Sequence, residues 1–82
     1  MNYDTDNVDE AVFALLFLTL HETHPELGGR SWKGHERGAL NRLHEKGLIS
    51  NPRSAAKSVV LSAENVKKCE AAFLKLFGRI ER

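Results

Sequence analysis

Residues 39–61 read ALNRLHEKGLISNPRSAAKSVVL, and the expected fold follows from this stretch. In its first half, alanine and leucines recur at the spacing of one helix face, while the opposite face is polar. Gly47 then stands at the position where helices most often end in a left-handed turn. The sequence therefore predicts a helix over residues 35–46.

The second half of the stretch contains two short runs of strand-forming residues. These runs, 48–50 and 58–61, lie on either side of a loop at 51–57 that is rich in turn-forming residues. The loop carries two cations, Arg53 and Lys57. The pattern predicts a β-hairpin with a long basic loop directly after the helix.

Upstream, residues 8–24 are predicted to form a longer helix. It should stop before Pro25, because a proline ring excludes the preceding residue from helical geometry. Thr5 or Asp6 is expected to cap it, and Asp9 lies where the helix dipole favours an anion. Apolar side chains cover almost its whole circumference, so part of its burial is expected to come from a second copy of the chain.

Between these helices, the Leu-Gly-Gly run at 27–29 is interpreted as a flexible connector, and the only tryptophan, Trp32, as a core anchor. After the hairpin, Ser62 is expected to cap a last, amphipathic helix. Cys69 lies on its apolar stripe and is expected to be a small core residue. The stripe comprises Val66, Cys69, Phe73, Leu76, Phe77 and Ile80.

Length and composition indicate one folded domain over residues 1–82, with 41% hydrophobic and 28% charged residues. The longest apolar run, at 11–20, is shorter than the roughly 20 residues that a membrane span needs. Acids rather than bases precede it, unlike a secretory signal. A single cysteine cannot form an internal disulfide, so the cytoplasm is the expected location.

Charge is distributed unevenly along the chain. Residues 1–29 carry six acids and no bases, a net charge of −6, whereas residues 30–82 carry twelve bases and five acids, a net charge of +7. The basic part could serve an anionic partner, or the charges could be a solvated surface beside a helix whose first turn is acidic. The charge pattern alone leaves both interpretations open.

No pattern of residues indicates catalysis. The run His21-Glu22-Thr23-His24 has its histidines at i and i+3, not at the i and i+4 spacing that puts two imidazoles on one zinc ion, so we expect them at a helix end. No glycine loop of the kind that cradles phosphates is present either. We therefore expect no enzyme, no metal and no cofactor.

Two sets of residues resemble known families. LNRLHEKGLI at 40–49, followed by a basic loop and SVVLSAE at 58–64, resembles the signature of winged-helix regulators of the MarR and PadR type. More closely, WKG at 32–34, LHEKGLI at 43–49 and KSVVL at 57–61 are similar to a family of short bacterial proteins described as domain of unknown function 6429. The resemblance implies an α+β fold, mostly helical and winged-helix-like, in the order helix, helix, β-hairpin (the wing), helix.

The winged-helix resemblance also implies double-stranded DNA as the partner and regulation of transcription as the role. In such proteins a helix enters the major groove and cations of the wing contact phosphates. Arginine and asparagine are the residues that bond guanine and adenine edges in pairs. The residues expected to contact nucleic acid are Arg37, Asn41 and Arg42 on the outward side of the helix, and Arg53 and Lys57 in the loop.

The alternative is a protein-interaction module on the same scaffold. Glu45 shares the outward face of the predicted reading helix and repels phosphate, and the apolar first helix is suited to docking a protein partner. A homodimer through the first and last helices is the expected assembly. Its predicted interface consists of Phe13, Phe17, Leu20, Phe73, Leu76 and Phe77.

Overall fold

The computed structural model describes residues 2–79, and within this span the chain forms three helices and a three-stranded antiparallel sheet. The elements are α1 (Thr5–Leu18), β1 (Leu20–His24), β2 (Gly28–Trp32), α2 (Arg37–Glu45), β3 (Ser58–Leu61) and α3 (Ala63–Phe77), with the sheet order β1-β2-β3. The predicted α+β class is confirmed. The order helix, strand, strand, helix, strand, helix is compatible with a winged-helix-like layout but differs from the predicted one.

The first helix begins at a different cap from the predicted ones. Asp4, not Thr5 or Asp6, is the N-cap, and its Oδ1 accepts a hydrogen bond from the backbone nitrogen of Asn7 at 3.0 Å. An aspartate in this position satisfies one of the unpaired N–H groups of the first turn.

The first helix also ends earlier than the predicted boundary at residue 24. The backbone nitrogen of Thr19 donates to the carbonyl oxygen of Leu15 at 3.2 Å, and the chain then turns into β1. Residues 21–24 carry only polar, exposed side chains, so a helix continued through them would have no apolar face to bury. As a strand, the same residues pair their backbone with β2 instead.

The glycine pair that we interpreted as a flexible connector is part of β2 and is buried. Gly28 has φ of +104°, and a Cβ built there would overlap the carbonyl oxygen of Leu61 and lie 2.7 Å from the carbonyl carbon of Ser62. A Cβ at Gly29 would lie 2.9 Å from the carbonyl oxygen of Glu22. These glycines are therefore sites of close backbone packing, not of flexibility.

The predicted hairpin between 48–50 and 58–61 is not formed. Only the second run is a strand, and it pairs with β2, which lies far upstream in sequence and offers a longer partner. Residues 48–50 approach β3 at one point, where Ser50 N donates to Val60 O at 2.9 Å and Ser50 Oγ accepts from Val60 N at 2.8 Å. Ser50 thereby covers part of the free edge of β3.

The predictions for the other two helices are largely confirmed. α2 is shorter than the predicted 35–46 because Glu36 caps it, and Gly47 has the expected positive φ, +76°. Ser62 caps α3 as predicted, with its Oγ accepting from the nitrogen of Asn65 at 3.1 Å. Cys69 is fully buried, which raises the pKa of its thiol to about 11. Ile80 lies outside the described residues.

The core lies between α1, α2 and α3 on one side and the inner face of β2 and β3 on the other. Its buried apolar members are Val12, Phe13, Leu16, Ala39, Leu40, Leu43, Ile49, Val59, Leu61 and Cys69. The predicted core anchor, Trp32, is not among them: it is 53% exposed. Side chains alternate along β2, so Ser31 points inward and Trp32 outward.

Across residues 2–79, we find no helix with both the length and the apolar character needed to cross a membrane.

Candidate nucleic-acid interface

A polar groove of about 410 Å³ opens between the N-terminal half of α2, the segment before it and the loop at 51–57. Its lining residues are Lys33, Gly34, His35, Arg37, Leu40, Asn41, Pro52, Arg53 and Ser54. Among the residues that the structure describes, those lining the groove include no aspartate or glutamate. The groove is therefore basic. The N-terminal half of α2 and the segment before it form one wall, and the loop at 51–57 forms the other.

One wall of the groove, the loop at 51–57, is held in place by Lys33. The Nζ of Lys33 donates to the carbonyl oxygens of Pro52 at 2.8 Å and Ser54 at 2.7 Å. Its backbone nitrogen donates to the carbonyl oxygen of Lys57 at 3.2 Å. The ammonium group keeps its positive charge while it fixes the loop, so it contributes to the potential of the groove.

The segment that leads into α2 is anchored to the end of α1. Thr19 Oγ1 lies 2.7 Å from Ser31 Oγ and 3.1 Å from His35 Nε2, and Ser31 Oγ donates to the carbonyl oxygen of Leu16 at 2.8 Å. Burial lowers the pKa of His35, so its imidazole is neutral at neutral pH. The groove wall at His35 is thus rigid but uncharged.

The structure brings together three of the five residues predicted to contact nucleic acid. Arg37, Asn41 and Arg53 all line the groove. Lys57 is exposed on the same loop but lies outside the lining. Glu45, the acid that we expected on the same face of α2, is not a lining residue either, so its carboxylate does not oppose an anion in the groove.

The fifth residue, Arg42, does not lie with the others. Its Nε donates to both carboxylate oxygens of Asp9, at 2.9 and 2.8 Å, and its Nη2 lies 2.8 Å from Asp9 Oδ1. These hydrogen bonds hold the pKa of Asp9 below its ordinary value. Through these bonds Asp9 joins α1 to α2. Its side chain is only 1% exposed, and it is not the first-turn anion that we predicted, because α1 begins at Thr5.

The uneven charge of the sequence is largely neutralised within the molecule. In the described part of the chain, four of the six acids before residue 30 form ion pairs with later bases, and these pairs are Asp6–Lys46, Asp9–Arg42, Glu10–Lys75 and Glu22–Arg30. Within that same part, Arg37, Arg53 and Lys57 have no acidic partner within 4.0 Å. Uncompensated positive charge is therefore concentrated at the groove.

A second cleft, of about 390 Å³, lies between α1 and α3 and has an apolar floor. Its charged rim is already occupied by internal pairs: Lys75 Nζ lies 3.1 Å from Glu10, and Lys46 lies 3.5 Å from Asp9. A ligand here would have to compete with these contacts, whereas the basic groove offers unpaired cations.

The residues predicted for a dimer interface separate into buried and exposed ones. Phe13 is a core residue, 7% exposed, so it is not available as a surface contact. Phe17 and Leu20 are half-buried against the core. Phe73 packs against Phe17 at a ring-centroid distance of 5.4 Å. The exposed members are Leu76 and Phe77, and Leu74 beside them is exposed as well.

The sequence patterns did not point to Lys33, His35 or the exposed position of Trp32. The signal that could have found them is the alternation of inward and outward side chains along residues 29–32, which is typical of a strand. The glycine pair obscured it, because glycines are depleted in strands. A strand there places Trp32 on the outer face and leads directly into the groove wall at Lys33.

The two histidines that we expected at a helix end lie on β1 instead. His21 Nε2 lies 2.8 Å from Ser58 Oγ, and His24 Nδ1 accepts from the backbone nitrogens of Glu26 and Leu27. In residues 2–79, no three His, Cys, Asp or Glu side chains come together in a group that could hold a metal ion.

Comparison with known proteins identifies a relative and a family, neither of which has an assigned activity. The chain is 43% identical over 79 residues to the uncharacterized protein y4hR of Sinorhizobium fredii (strain NBRC 101917 / NGR234), an alignment that covers 96% of this chain and all of the relative. No solved structure matches the chain at a significant level. Residues 4–79 match the family model described as domain of unknown function (DUF6429), and the chain belongs to that family.

Proposed function

We propose that the protein binds nucleic acid through the groove between α2 and the loop at 51–57. The observation that carries the proposal is the concentration of unpaired cations there, whereas four of the six acids of residues 1–29 are paired with bases elsewhere. Arg37 and Arg53 stand on opposite walls, so a phosphodiester lying in the groove can be contacted from both sides.

Within this proposal duplex DNA is the partner, because the element order is compatible with a winged-helix-like layout, and regulation of transcription is the role that would follow. Asn41 lies one turn after Arg37 on the same wall of the groove and can bond a base edge, while Lys57 extends the basic surface along the loop. Arg42 has no part in this proposal, because Asp9 occupies its guanidinium group.

Removing both groove arginines tests this function. We expect the double variant Arg37→Ala/Arg53→Ala to bind labelled random-sequence duplex DNA about tenfold more weakly, because two phosphate contacts are lost. Fluorescence anisotropy between about 50 and 200 mM salt should also show a slope of log K against log salt that is smaller by about 2.

The matched control is Lys67→Ala/Lys68→Ala, which removes the same charge from the exposed surface of α3. It should leave both the affinity and the salt slope close to those of the wild type. Equal losses in the two double variants would mean that net charge, not the groove, attracts the DNA. An absence of wild-type binding at micromolar protein and low salt would refute the proposal.

A second proposal is self-association, which the exposed apolar end of α3 favours. Leu74, Leu76 and Phe77 are 60%, 40% and 47% exposed, and Phe77 continues a row of aromatic rings that begins in the half-buried contact of Phe17 with Phe73. Contiguous exposed apolar side chains of this kind are typical of interfaces. The proposed occupant is a second copy of the chain.

Sedimentation equilibrium tests the dimer. The wild type should have twice the 9.2 kDa mass of one chain, and Leu76→Lys should shift it to the monomer because a charge would be buried at the interface. Leu27→Lys is the control, since Leu27 is 77% exposed in the turn between β1 and β2. A wild-type mass of 9.2 kDa at high concentration would contradict the dimer.

A further inference from the structure

Trp32 is an exposed aromatic side chain in a fixed position. It lies on the outer face of β2, 53% exposed, and its backbone nitrogen donates to the carbonyl oxygen of Thr19 at 3.3 Å. A tryptophan gains a large free energy from burial, so one held at the surface by its strand is a candidate for contact with a ligand. The chain contains no other tryptophan.

The orientation of the indole is set by two residues that also line the basic groove. A Cβ at Gly34 would overlap Cζ2 and Cη2 of Trp32, so the ring lies directly against the backbone of Gly34. The ring of His35 meets it edge-on, with a centroid distance of 5.8 Å and an interplanar angle of 61°. Gly34 and His35 line the groove, and His35 is hydrogen-bonded to Thr19, so the indole is held beside the groove without being one of its lining residues.

The surroundings of Trp32 are polar, which argues against docking of an apolar protein surface. Directly across the sheet lies Ser58, whose Oγ is 2.8 Å from His21 Nε2. Two residues along β2 is Arg30, which lies 3.7 Å from Glu22. Val60, which pairs with Arg30, adds one exposed apolar side chain to this face of the sheet. An exposed aromatic ring in polar surroundings, in contact with Gly34 and His35 of the basic groove, suits a ligand that has both a flat ring and negative charge.

A nucleotide with an unpaired base has both properties. Proteins that bind single strands combine a basic groove for the backbone with aromatic side chains on which the bases stack. A base inside a duplex has both of its faces covered by its neighbours, so it cannot stack on Trp32 without leaving the helix.

We propose that Trp32 stacks on an unpaired base of a single-stranded segment whose phosphates lie in the groove between Arg37 and Arg53. This inference rests on the proposed nucleic-acid binding and specifies its ligand as a strand with at least one unpaired base.

The emission of Trp32 provides a direct test, because no other tryptophan contributes to it. The full-length protein is titrated with labelled oligo(dT) of about twelve nucleotides, with oligo(U) of the same length, and with the duplex of oligo(dT) and oligo(dA). Tryptophan emission and label anisotropy are followed together. We expect both single strands to quench Trp32 in step with the rise in anisotropy, and the duplex to raise the anisotropy without comparable quenching.

Variants separate stacking from charge. Trp32→Leu should weaken single-strand binding about tenfold, while Trp32→Phe, which keeps an aromatic ring, should lose much less. Both should bind the duplex as the wild type does, and because about half of the side chain is exposed, both should stay folded and unfold within a few degrees of the wild-type temperature. A single strand that lacks bases over its whole length should bind weakly and leave the emission unchanged.

The two proposals fail in different ways. Single-strand binding by the wild type that leaves Trp32 emission unchanged, or that is as strong in Trp32→Leu, would overturn the stacking proposal and leave the groove proposal standing. A lack of any anisotropy change with single strand or duplex would overturn both. Quenching by oligo(dT) but not by oligo(U) would restrict the stacking site to DNA and support it.

Discussion

Gly28→Ala is expected to lower the free energy of unfolding by about 3–5 kcal/mol, because two costs coincide at this position. The φ of +104° is one that residues with a side chain rarely adopt, and the added methyl would overlap the carbonyl oxygen of Leu61. That oxygen belongs to the backbone where β3 joins α3, so it cannot move without disturbing both. Chains of this length have an unfolding free energy of about 4–12 kcal/mol in total, so this loss is a large fraction of it and the variant should unfold at a clearly lower temperature.

Gly47→Ala provides the comparison that separates the two costs. Gly47 also has a positive φ, +76°, but a Cβ there would meet nothing within 4 Å. Gly47→Ala should therefore lower the free energy of unfolding by only about 1 kcal/mol, from backbone conformation alone. Chemical denaturation followed by circular dichroism measures both variants. Equal losses for the two glycines would mean that the close approach of β2 to the start of α3 contributes nothing.

Asp9→Asn is expected to lower the free energy of unfolding by about 2–4 kcal/mol. The substitution leaves the guanidinium group of Arg42 beside a neutral amide in a largely buried site. Asp6→Asn is the matched control: Asp6 lies one turn earlier on α1 and pairs with Lys46 at 3.7 Å, but its side chain is 88% exposed. Exposed pairs contribute about 0–1 kcal/mol. Similar losses for the two variants in urea unfolding would contradict a structural role of the buried pair.

The same pair determines how stability should change with acid. Arg42 lowers the pKa of Asp9 in the folded state, so the stabilisation is fully present above the ordinary aspartate pKa of 3.8 and is lost as pH falls through the lowered value. Between pH 5 and 2, the wild type should therefore lose more unfolding free energy than Asp9→Asn does. Parallel pH profiles for the two proteins would refute this assignment.

Local patterns in the sequence predicted the helices that pack one face on a core. The spacing of leucines predicted α2, Ser62 and the apolar stripe predicted α3, and Gly47 predicted the turn at the end of α2. In each case the deciding interactions lie within a few residues of one another.

The sheet could not be predicted in the same way, because its pairing is long-range. β2 begins with two glycines, which are depleted in strands, and they are tolerated because other backbone segments pack against them. β3 had a neighbour in sequence at 48–50, but its actual partner lies about thirty residues upstream. Choosing between them requires knowing how β2 is buried, which residues 48–61 do not reveal.

The candidate site was predicted in part for the same reason. Arg37 and Asn41 lie one turn apart on α2, so their common face followed from helical spacing. Arg42 also fitted that face, but its actual partner, Asp9, is on a different helix and cannot be identified from local spacing. The contribution of Lys33 depends on contacts with main-chain atoms, which leave no signature in the side chains of the loop.

Lys33 makes the loop at 51–57 tolerant of substitution. It holds the loop by the carbonyl oxygens of Pro52 and Ser54, and a carbonyl oxygen is present whatever side chain a residue carries. The shape of the loop is therefore largely uncoupled from the identity of its side chains. Substitutions at position 53 and its neighbours should therefore change the charge that the loop presents to the groove while leaving its backbone in place.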